Sequence, residues 1–474
     1  MTAVQQSAPR PGASAPGARV PFPVVDEVAR HCLQEEEPET VHIEVHLPGR
    51  PDPARLRKAF TGALARHPRA LMREAPGRWY RRRYEWELTR LPDVEPVSFP
   101  PPGPDALKDA RERSLRDAPP LSASPPIRLE VVDNPDDKDG CALILVMNHT
   151  ALDGPACMRV LATAAELYGG RDNSPAAPRV RPPGTPEARR EPDHMPSGWS
   201  RPAHVAPGTP ERAPGNGMLL AELPVPHRPK GAPYTVNDQL MVSTALTLAH
   251  WNREHGRPAR PMRITMPVDD RSRGADMPIG NGTRLVEVPF AAAELAQDRA
   301  TEEVSPDRIR ELLRLTSERT RTLKALSRPQ LGHGAALLTA PVLPVAWRAA
   351  LTRGLRRAAG PWTSTTLLSN IGRIPYPLDF GDAGRAKAVW FSAPARVPRG
   401  LTVTTASTDG RLHLALRWSK TLLSHGDGAH LRDLFEHYLH ATQLPAPPTT
   451  PTPAAPPAHQ SHQSVQSQPT KGDS

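Results

Sequence analysis

The sequence has few of the residues that mark secreted or nucleic-acid-binding proteins. Its 474 residues include three cysteines, Cys32, Cys141 and Cys157, with no Cys-x-x-Cys motif. We therefore expect reduced thiols in a cytoplasmic protein. Aromatic residues make up only 4%, which leaves few stacking platforms for single-stranded nucleic acid. Despite a net charge of +10, we predict no nucleic-acid partner.

Long uninterrupted apolar runs are also absent. The N-terminus has no apolar signal-peptide core. The most apolar long stretch, Ala335 to Leu351, is broken by Pro341, Pro344 and Arg348, so we expect no membrane span. We expect this stretch to be a helix packed in a core, with a substrate wall or a surface-lying segment as the alternatives. Zinc, P-loop and hydrolase signatures are missing too, and we predict no metal and no permanently bound cofactor.

Segments rich in proline, alanine, serine, glycine and charge divide the chain. We predict a disordered head at 1–22, an N-terminal lobe at 23–171, a proline-rich linker or loop at 172–216, a C-terminal lobe at 217–444 and a disordered tail at 445–474. Each lobe mixes strands with helices. The predicted fold class is therefore α/β (α+β), with two lobes.

Apolar periodicity predicts the elements within the lobes. Strands are expected at 41–47, 127–132, 141–147, 284–290, 363–373, 388–394, 400–407 and 412–419, and a strand that runs into a loop is expected within 262–274. Helices are expected at 51–68, 155–170, 235–256, 306–326 and 428–442.

The turn within "LILVMNHTALDGPACMRVL", residues 143–161, is the strongest candidate site. The preceding run has no polar member up to Met147, as in a strand buried on both faces. Pro155 suits the first position of a helix. His149 and Asp153 therefore lie between a core strand and a helix N-terminus, and Gly154 lets the chain turn tightly. A histidine there can take a proton from a hydroxyl or amine that attacks a carbonyl.

"NHTALDG", residues 148–154, resembles the HHxxxDG signature of the condensation-domain superfamily. That superfamily includes condensation domains of nonribosomal peptide synthetases, BAHD and polyketide-associated acyltransferases, and chloramphenicol acetyltransferase. Five further stretches resemble its motifs, in the expected order: "LARHPRALMR" (64–73), "TMPVDDRSRG" (265–274), "GNGT" (280–283), "SNIGR" (369–373) and "DFGDAGRAKAVWFS" (379–392). The resemblance covers roughly residues 22–445. The chain departs from it at Asn148, in place of the first histidine, and at Asp382, in place of the BAHD tryptophan.

The resemblance implies two lobes like those of chloramphenicol acetyltransferase, with a tunnel between them and His149 at its middle as the general base. Asp153 would be structural and paired with an arginine, for which Arg73 is the first candidate and Arg271 the second. Gly154 would give clearance on the acceptor side.

The oxyanion would be stabilised by backbone N–H groups near the turn. Ser369 or Asn370 would assist, and Asn148 is a further candidate on the substrate side.

The predicted function is that of a stand-alone, monomeric acyltransferase. It would transfer an acyl group from a thioester, on CoA or on the phosphopantetheine of a carrier protein acting in trans, to a small-molecule amine or alcohol. One alternative is a catalytically inactive condensation-like domain that recruits a carrier protein or partner enzyme in natural-product (secondary metabolite) biosynthesis. Another is epimerisation of a carrier-bound residue by the same histidine.

Overall fold

The computed structural model describes residues 17–176, 200–296, 304–326, 330–331 and 333–444. Its strands are β1 Arg19–Pro21, β2 Thr40–Leu47, β3 Met72–Glu74, β4 Glu85–Leu88, β5 Val97–Ser98, β6 Ile127–Asp133, β7 Cys141–Asn148, β8 Asn216–Pro224, β9 Met262–Asp269, β10 Thr283–Phe290, β11 Thr366–Arg373, β12 Ala388–Ser392, β13 Leu401–Thr408 and β14 Arg411–Ser419. Its α-helices are α1 Val24–His31, α2 Pro53–Arg66, α3 Ala106–Arg116, α4 Gly154–Gly169, α5 Val236–Glu254, α6 Pro306–Ala325, α7 His333–Leu338, α8 Val345–Ala358 and α9 His425–Ala441.

The sheet of the N-terminal lobe has the strand order β12-β2-β7-β6-β5. Strand β7 is buried along its whole length because both faces of the sheet are covered. Leu143 and Leu145 pack into a core with α2 and α4, whereas Ile144 and Val146 pack against α3. The predicted hairpin of β6 and β7 is present as an antiparallel pair.

The sheet of the C-terminal lobe has the strand order β10-β9-β11-β13-β14-β8. Helices α5, α6 and α9 supply many of the other apolar side chains of its core, which includes Trp251 of α5 and Trp418 of β14. Thr235 is the N-cap of helix α5, and its side chain and Asp238 form a reciprocal capping box that satisfies two free backbone N–H groups. The predicted mixture of strands and helices in two lobes is confirmed.

The predicted disordered head is wrong for residues 17–22. Strand β1 pairs with β4 in a small sheet of order β1-β4-β3, and the Phe22 ring stacks on Trp86 at 4.0 Å between centroids. An apolar pair buried in this way orders the backbone of this part of the head. Residues 1–16 and the predicted tail at 445–474 lie outside the described residues.

The predicted linker at 172–216 is also partly wrong. Residues 177–199 lie outside the described residues, but Ala203, Val205 and Ala206 are buried in the core of the C-terminal lobe. The Trp251 indole donates to the carbonyl of Ala206 at 2.9 Å, and the backbone N–H of Ala206 donates to the side chain of Asn252 at 2.7 Å. Small apolar residues among the prolines therefore fix this segment against α5.

The boundary between the lobes does not follow the chain. Strand β12, from the predicted C-terminal lobe, pairs antiparallel with β2 of the N-terminal sheet. Tyr376, Phe380 and Phe391 join the N-terminal core. The N-terminal lobe therefore includes a late segment of the chain, and β12 and β13 lie in different sheets although only Ala393–Gly400 separates them.

The stretch Ala335 to Leu351 was expected to be a helix packed in a core, and this expectation is wrong. It contains the end of α7, a turn and the first half of α8, and Leu337, Val342 and Trp347 are all exposed. Only one face of α8, which carries Val345 and other buried residues, packs on the protein. None of the described helices is long and apolar enough to cross a membrane.

Candidate active site

The turn between β7 and α4 is fixed at both ends. Asp153 caps α4 by accepting from the Ala156 N–H at 3.0 Å, which satisfies a free donor of the first helical turn. The backbone N–H of His149 donates to the carbonyl of Glu39 at 2.7 Å. The apolar strand, the Asp cap and Pro155 at the helix start therefore place His149 where the sequence predicted.

The His149 ring is held in one orientation by its own turn. Its Nδ1 atom lies 3.1 Å from the carbonyl oxygen of Leu152. Because a carbonyl oxygen only accepts, Nδ1 carries the proton and Nε2 of the neutral ring is the basic nitrogen. Nε2 has no hydrogen-bond partner within the described ranges of the chain. This is the arrangement that a general base requires.

His149 lines a cavity of about 380 Å³. The wall contains residues of both lobes, among them Val28 of α1, Phe391 of β12, Pro267 of β9 and Leu367 of β11. The cavity therefore lies between the two sheets, as the resemblance implied for a substrate tunnel.

A buried ion pair joins the His149 turn to the C-terminal lobe. Arg271 Nη2 lies 2.7 Å from Asp153 Oδ2, and the side chains of the two residues are only 11% and 2% exposed. The same carboxylate oxygen accepts from the Gly282 N–H at 2.8 Å. Asp153 therefore binds its own helix, the loop after β9 and the loop before β10.

Every N–H group of the Arg271 guanidinium has an acceptor. Besides Asp153, these are the carboxylate of Asp269, at 2.8 and 3.1 Å, and the carbonyls of Pro278 and Gly280. Burial alone would lower the pKa of Arg271, but the hydrogen bonds to Asp269 and the charge of Asp153 outweigh it and raise that pKa. A Cβ atom on Gly282 would lie 2.3 Å from Arg271 Nε, so this packing requires glycine.

Arg73, the first candidate partner of Asp153, is in the wrong place. It lies on β3 directly opposite Glu87 of β4. Its guanidinium donates to Glu87 at 2.9 Å and to Asp93 at 3.0 Å. A carboxylate on the neighbouring strand is a closer partner than one across the lobe.

The other predicted site residues divide into two groups. Ser369, Asn370 and Gly154 line the cavity, although the Asn370 amide also accepts from the Gly372 N–H at 2.9 Å within its own strand. A Cβ atom on Gly154 would lie 3.2 Å from the Phe391 ring, so this glycine allows the ring to pack close to the start of α4. Asn148 is not a cavity residue. Its amide donates to the carbonyl of Pro119 at 3.0 Å and accepts from the Thr150 N–H at 3.1 Å.

Two polar residues beside His149 were absent from the predicted site. The amide of Asn281 donates to the carbonyls of His149 and Thr150, at 3.1 and 3.0 Å, and to Asp26 at 2.9 Å. Asp26 is buried, and Trp86 donates to its other oxygen at 2.8 Å. Burial raises the pKa of Asp26 to about 6, although these two hydrogen bonds and the charges of Arg69 and His149 act to lower it. Two adjacent carboxylates among the valines of "VVDEV", residues 24–28, were the available signal for Asp26.

Basic side chains line another part of the cavity. They belong to Arg356, Arg396 and Arg399. Arg396 forms an ion pair with Glu39. Arg399 donates to the Ser364 hydroxyl at 2.9 Å, and burial lowers its pKa to about 10. The Arg399 Nε atom is buried without a hydrogen-bond partner in the described part of the chain.

Comparison with solved structures places this arrangement among known folds. The trichothecene 15-O-acetyltransferase TRI3 from Fusarium sporotrichioides superposes with a TM-score of 0.60, at 12% identity, covering 90% of this chain and 96% of that one. The condensation domain from the monacolin K polyketide synthase MokA gives a TM-score of 0.55, at 13% identity, covering 90% and 97%. The chain has the condensation-type acyltransferase fold.

Sequence comparison adds a relative of unassigned function. The uncharacterized protein Rv2305 of Mycobacterium tuberculosis, strain H37Rv, is 28% identical over 391 residues, which cover 75% of this chain and 84% of Rv2305. No family model matches the chain. In this condensation-type fold, the histidine and the aspartate cap line the cavity, and the inter-lobe arginine binds that aspartate.

Proposed function

We propose that this chain is an acyltransferase that forms an amide or ester from a thioester donor, with His149 as the general base. The observation that carries the proposal is the His149 ring. It lines a cavity between the lobes, and its Nδ1 proton is engaged by Leu152. Nε2 is thus left to accept a proton from a bound acceptor.

In the proposed step, the acceptor's hydroxyl or amine gives its proton to Nε2 as its oxygen or nitrogen bonds to the acyl carbon. The carbon–sulfur bond then breaks, and the imidazolium returns the proton to the departing thiolate. The Asp153–Arg271 pair and Asn281 hold the turn that carries the ring, which fixes the approach geometry. Ser369 on the opposite wall is the proposed donor to the oxyanion.

The donor is proposed to carry phosphate, as CoA and carrier-bound phosphopantetheine both do. The cationic side chains of Arg356, Arg396 and Arg399 along the cavity support an anionic cosubstrate. Arg399 supports it most, because its buried Nε atom has no acceptor within the described residues. Separate pools of acyl-CoA and acyl-carrier donors distinguish the two sources of the thioester.

The test incubates the full chain with pools of acyl-CoA and acyl-carrier donors together with pools of amines and alcohols. Mass spectrometry then detects products whose mass equals acyl plus acceptor. We expect such a product from the wild type, and a rate at least about a hundredfold lower from His149→Ala, since general-base catalysis contributes factors of this size. His425→Ala, on an outer helix, is the matched control.

A donor consumed equally fast by wild type and His149→Ala would contradict the proposed role of the ring. If no donor pool gives product while the chain still captures a carrier protein, the inactive recruiting domain is the better description. Deuterium exchange at the α-carbon of a carrier-bound residue, without acyl transfer, would favour epimerisation.

A further inference from the structure

Helices α7 and α8 and the turn between them carry an exposed apolar surface. Trp347, Leu351 and Leu355 follow one another at intervals of four residues and therefore share one face of α8. Their exposed fractions are 65%, 49% and 46%. Leu337 and Val342, which precede them, are 80% and 74% exposed. Large apolar residues clustered in this way on a surface mark an interaction site rather than ordinary scatter.

This surface is not the underside of a poorly packed helix. The neighbouring face of α8 is anchored on the N-terminal lobe, where Arg348 forms an ion pair with Glu27 of α1 at 2.6 Å. The Val345 N–H donates to the carbonyl of Arg81 at 2.8 Å. The helix therefore has a docked face, and the apolar side chains lie beside it.

The charge of the surrounding sequence has one sign. Residues 319–378, a stretch of 60, contain nine lysines and arginines and no aspartate or glutamate. Helix α8 alone carries four arginines and no acidic residue, and three of these arginines, all except the buried Arg348, are exposed. Arg357 is exposed at the C-terminal end of the helix. Apolar residues on one face of a helix and arginines on another form the pattern of helices that lie in the headgroup region of a bilayer.

We propose that the surface formed by Leu337, Val342, Trp347, Leu351 and Leu355 docks on an anionic lipid bilayer without crossing it. The apolar side chains enter the boundary between headgroups and acyl chains, and the exposed arginines of α8, Arg353 and Arg357 among them, meet the lipid phosphates. The charge favours lipid over a second copy of this chain, because two copies would bring the same arginines together.

The apolar surface lies next to the cavity that holds His149. Leu331, just before α7, and Arg356, near the end of α8, both line the cavity that holds His149. A chain docked through this surface has the cavity wall next to the lipid, where an apolar acyl chain or a lipid alcohol is concentrated. Docking itself does not depend on the acyltransferase proposal.

The test is sedimentation of the full chain with vesicles of phosphatidylcholine alone or mixed with phosphatidylglycerol. We expect binding to the mixed vesicles that weakens as salt is raised. The triple variant Trp347→Ser, Leu351→Ser, Leu355→Ser should lose at least about tenfold in binding, because immersing one leucine-sized side chain already corresponds to such a factor. The double variant Trp79→Ser, Leu91→Ser is the matched control, since these residues are 73% and 70% exposed elsewhere.

A second readout does not depend on how the triple variant folds. Brominated lipids should quench part of the tryptophan fluorescence of the wild type and of Trp79→Phe, and that part should be lost in Trp347→Phe. The proposal is overturned if the wild type does not bind the mixed vesicles, or if Trp347→Phe is quenched as strongly as the wild type. It is also overturned if the surface instead mediates a dimer, or binds only an acidic carrier protein.

Discussion

Replacing Arg271 by methionine tests whether one ion pair holds the His149 turn to the C-terminal lobe. The change removes the partner of two carboxylates, Asp153 and Asp269, whose side chains are 2% and 7% exposed. Removing one member of a buried pair typically costs about 3–5 kcal/mol. Because Asp153 keeps two backbone N–H donors, we expect the lower end, about 3 kcal/mol in the free energy of unfolding.

The assay is equilibrium unfolding in urea, followed by circular dichroism and by fluorescence so that coincident transitions can be checked. The matched control is Arg314→Met, which removes an exposed arginine paired with Glu311 and Glu318 on one helix and should cost less than about 1 kcal/mol. The double variant Arg271→Met, Asp153→Asn should be more stable than the sum of the single effects predicts, since Asp153 no longer carries an unpaired buried charge, although Asp269 still loses its partner. A loss for Arg271→Met no larger than that of the control would refute this reasoning.

Two further predictions concern the surroundings of His149. The folded protein holds the pKa of Asp26 at about 6 instead of 3.8, so above pH 6 the buried carboxylate destabilises the folded state and below 3.8 it does not. The stability of the wild type relative to Asp26→Asn should therefore fall by about 3 kcal/mol as pH rises across this window, and urea titrations showing a pH-independent difference would contradict it. Gly282→Ala should displace Arg271 and destabilise the protein about as much as Arg271→Met. If the losses of stability add up in the double variant Gly282→Ala, Arg271→Met, the glycine and the arginine act separately and the prediction is contradicted.

Local sequence was enough to predict the His149 turn. An apolar strand covered on both faces, an aspartate cap and a proline at the helix start are all encoded within about twenty residues, and the structure places each as expected. The choice between Arg73 and Arg271 could not be made in this way. Both are distant in sequence from Asp153, and the outcome depends on Glu87 lying opposite Arg73 and on the packing of the two lobes.

The other differences between the predictions and the structure come from long-range strand pairing and from the exposure of a helix face. The pairing of β12 with β2 joins residues more than three hundred positions apart, and no local pattern indicates it. The apolar residues of α8 have the same spacing whether they pack in a core or face solvent. The sequence around Trp347 therefore could not show that this face is exposed. The role of Asn148 was missed because its amide serves the turn at Thr150 instead of the cavity.

The most direct test of the central claim is the protonation state of the His149 ring. The full chain labelled with ¹⁵N-histidine, at a pH where the ring is neutral, gives nitrogen shifts that distinguish the two tautomers, and His149→Gln assigns the signal. We predict the Nδ1–H tautomer, because the Leu152 carbonyl can only accept, with Nε2 unprotonated and available to a substrate. An Nε2–H tautomer would leave the ring without a basic nitrogen at the proposed position and would contradict the mechanism.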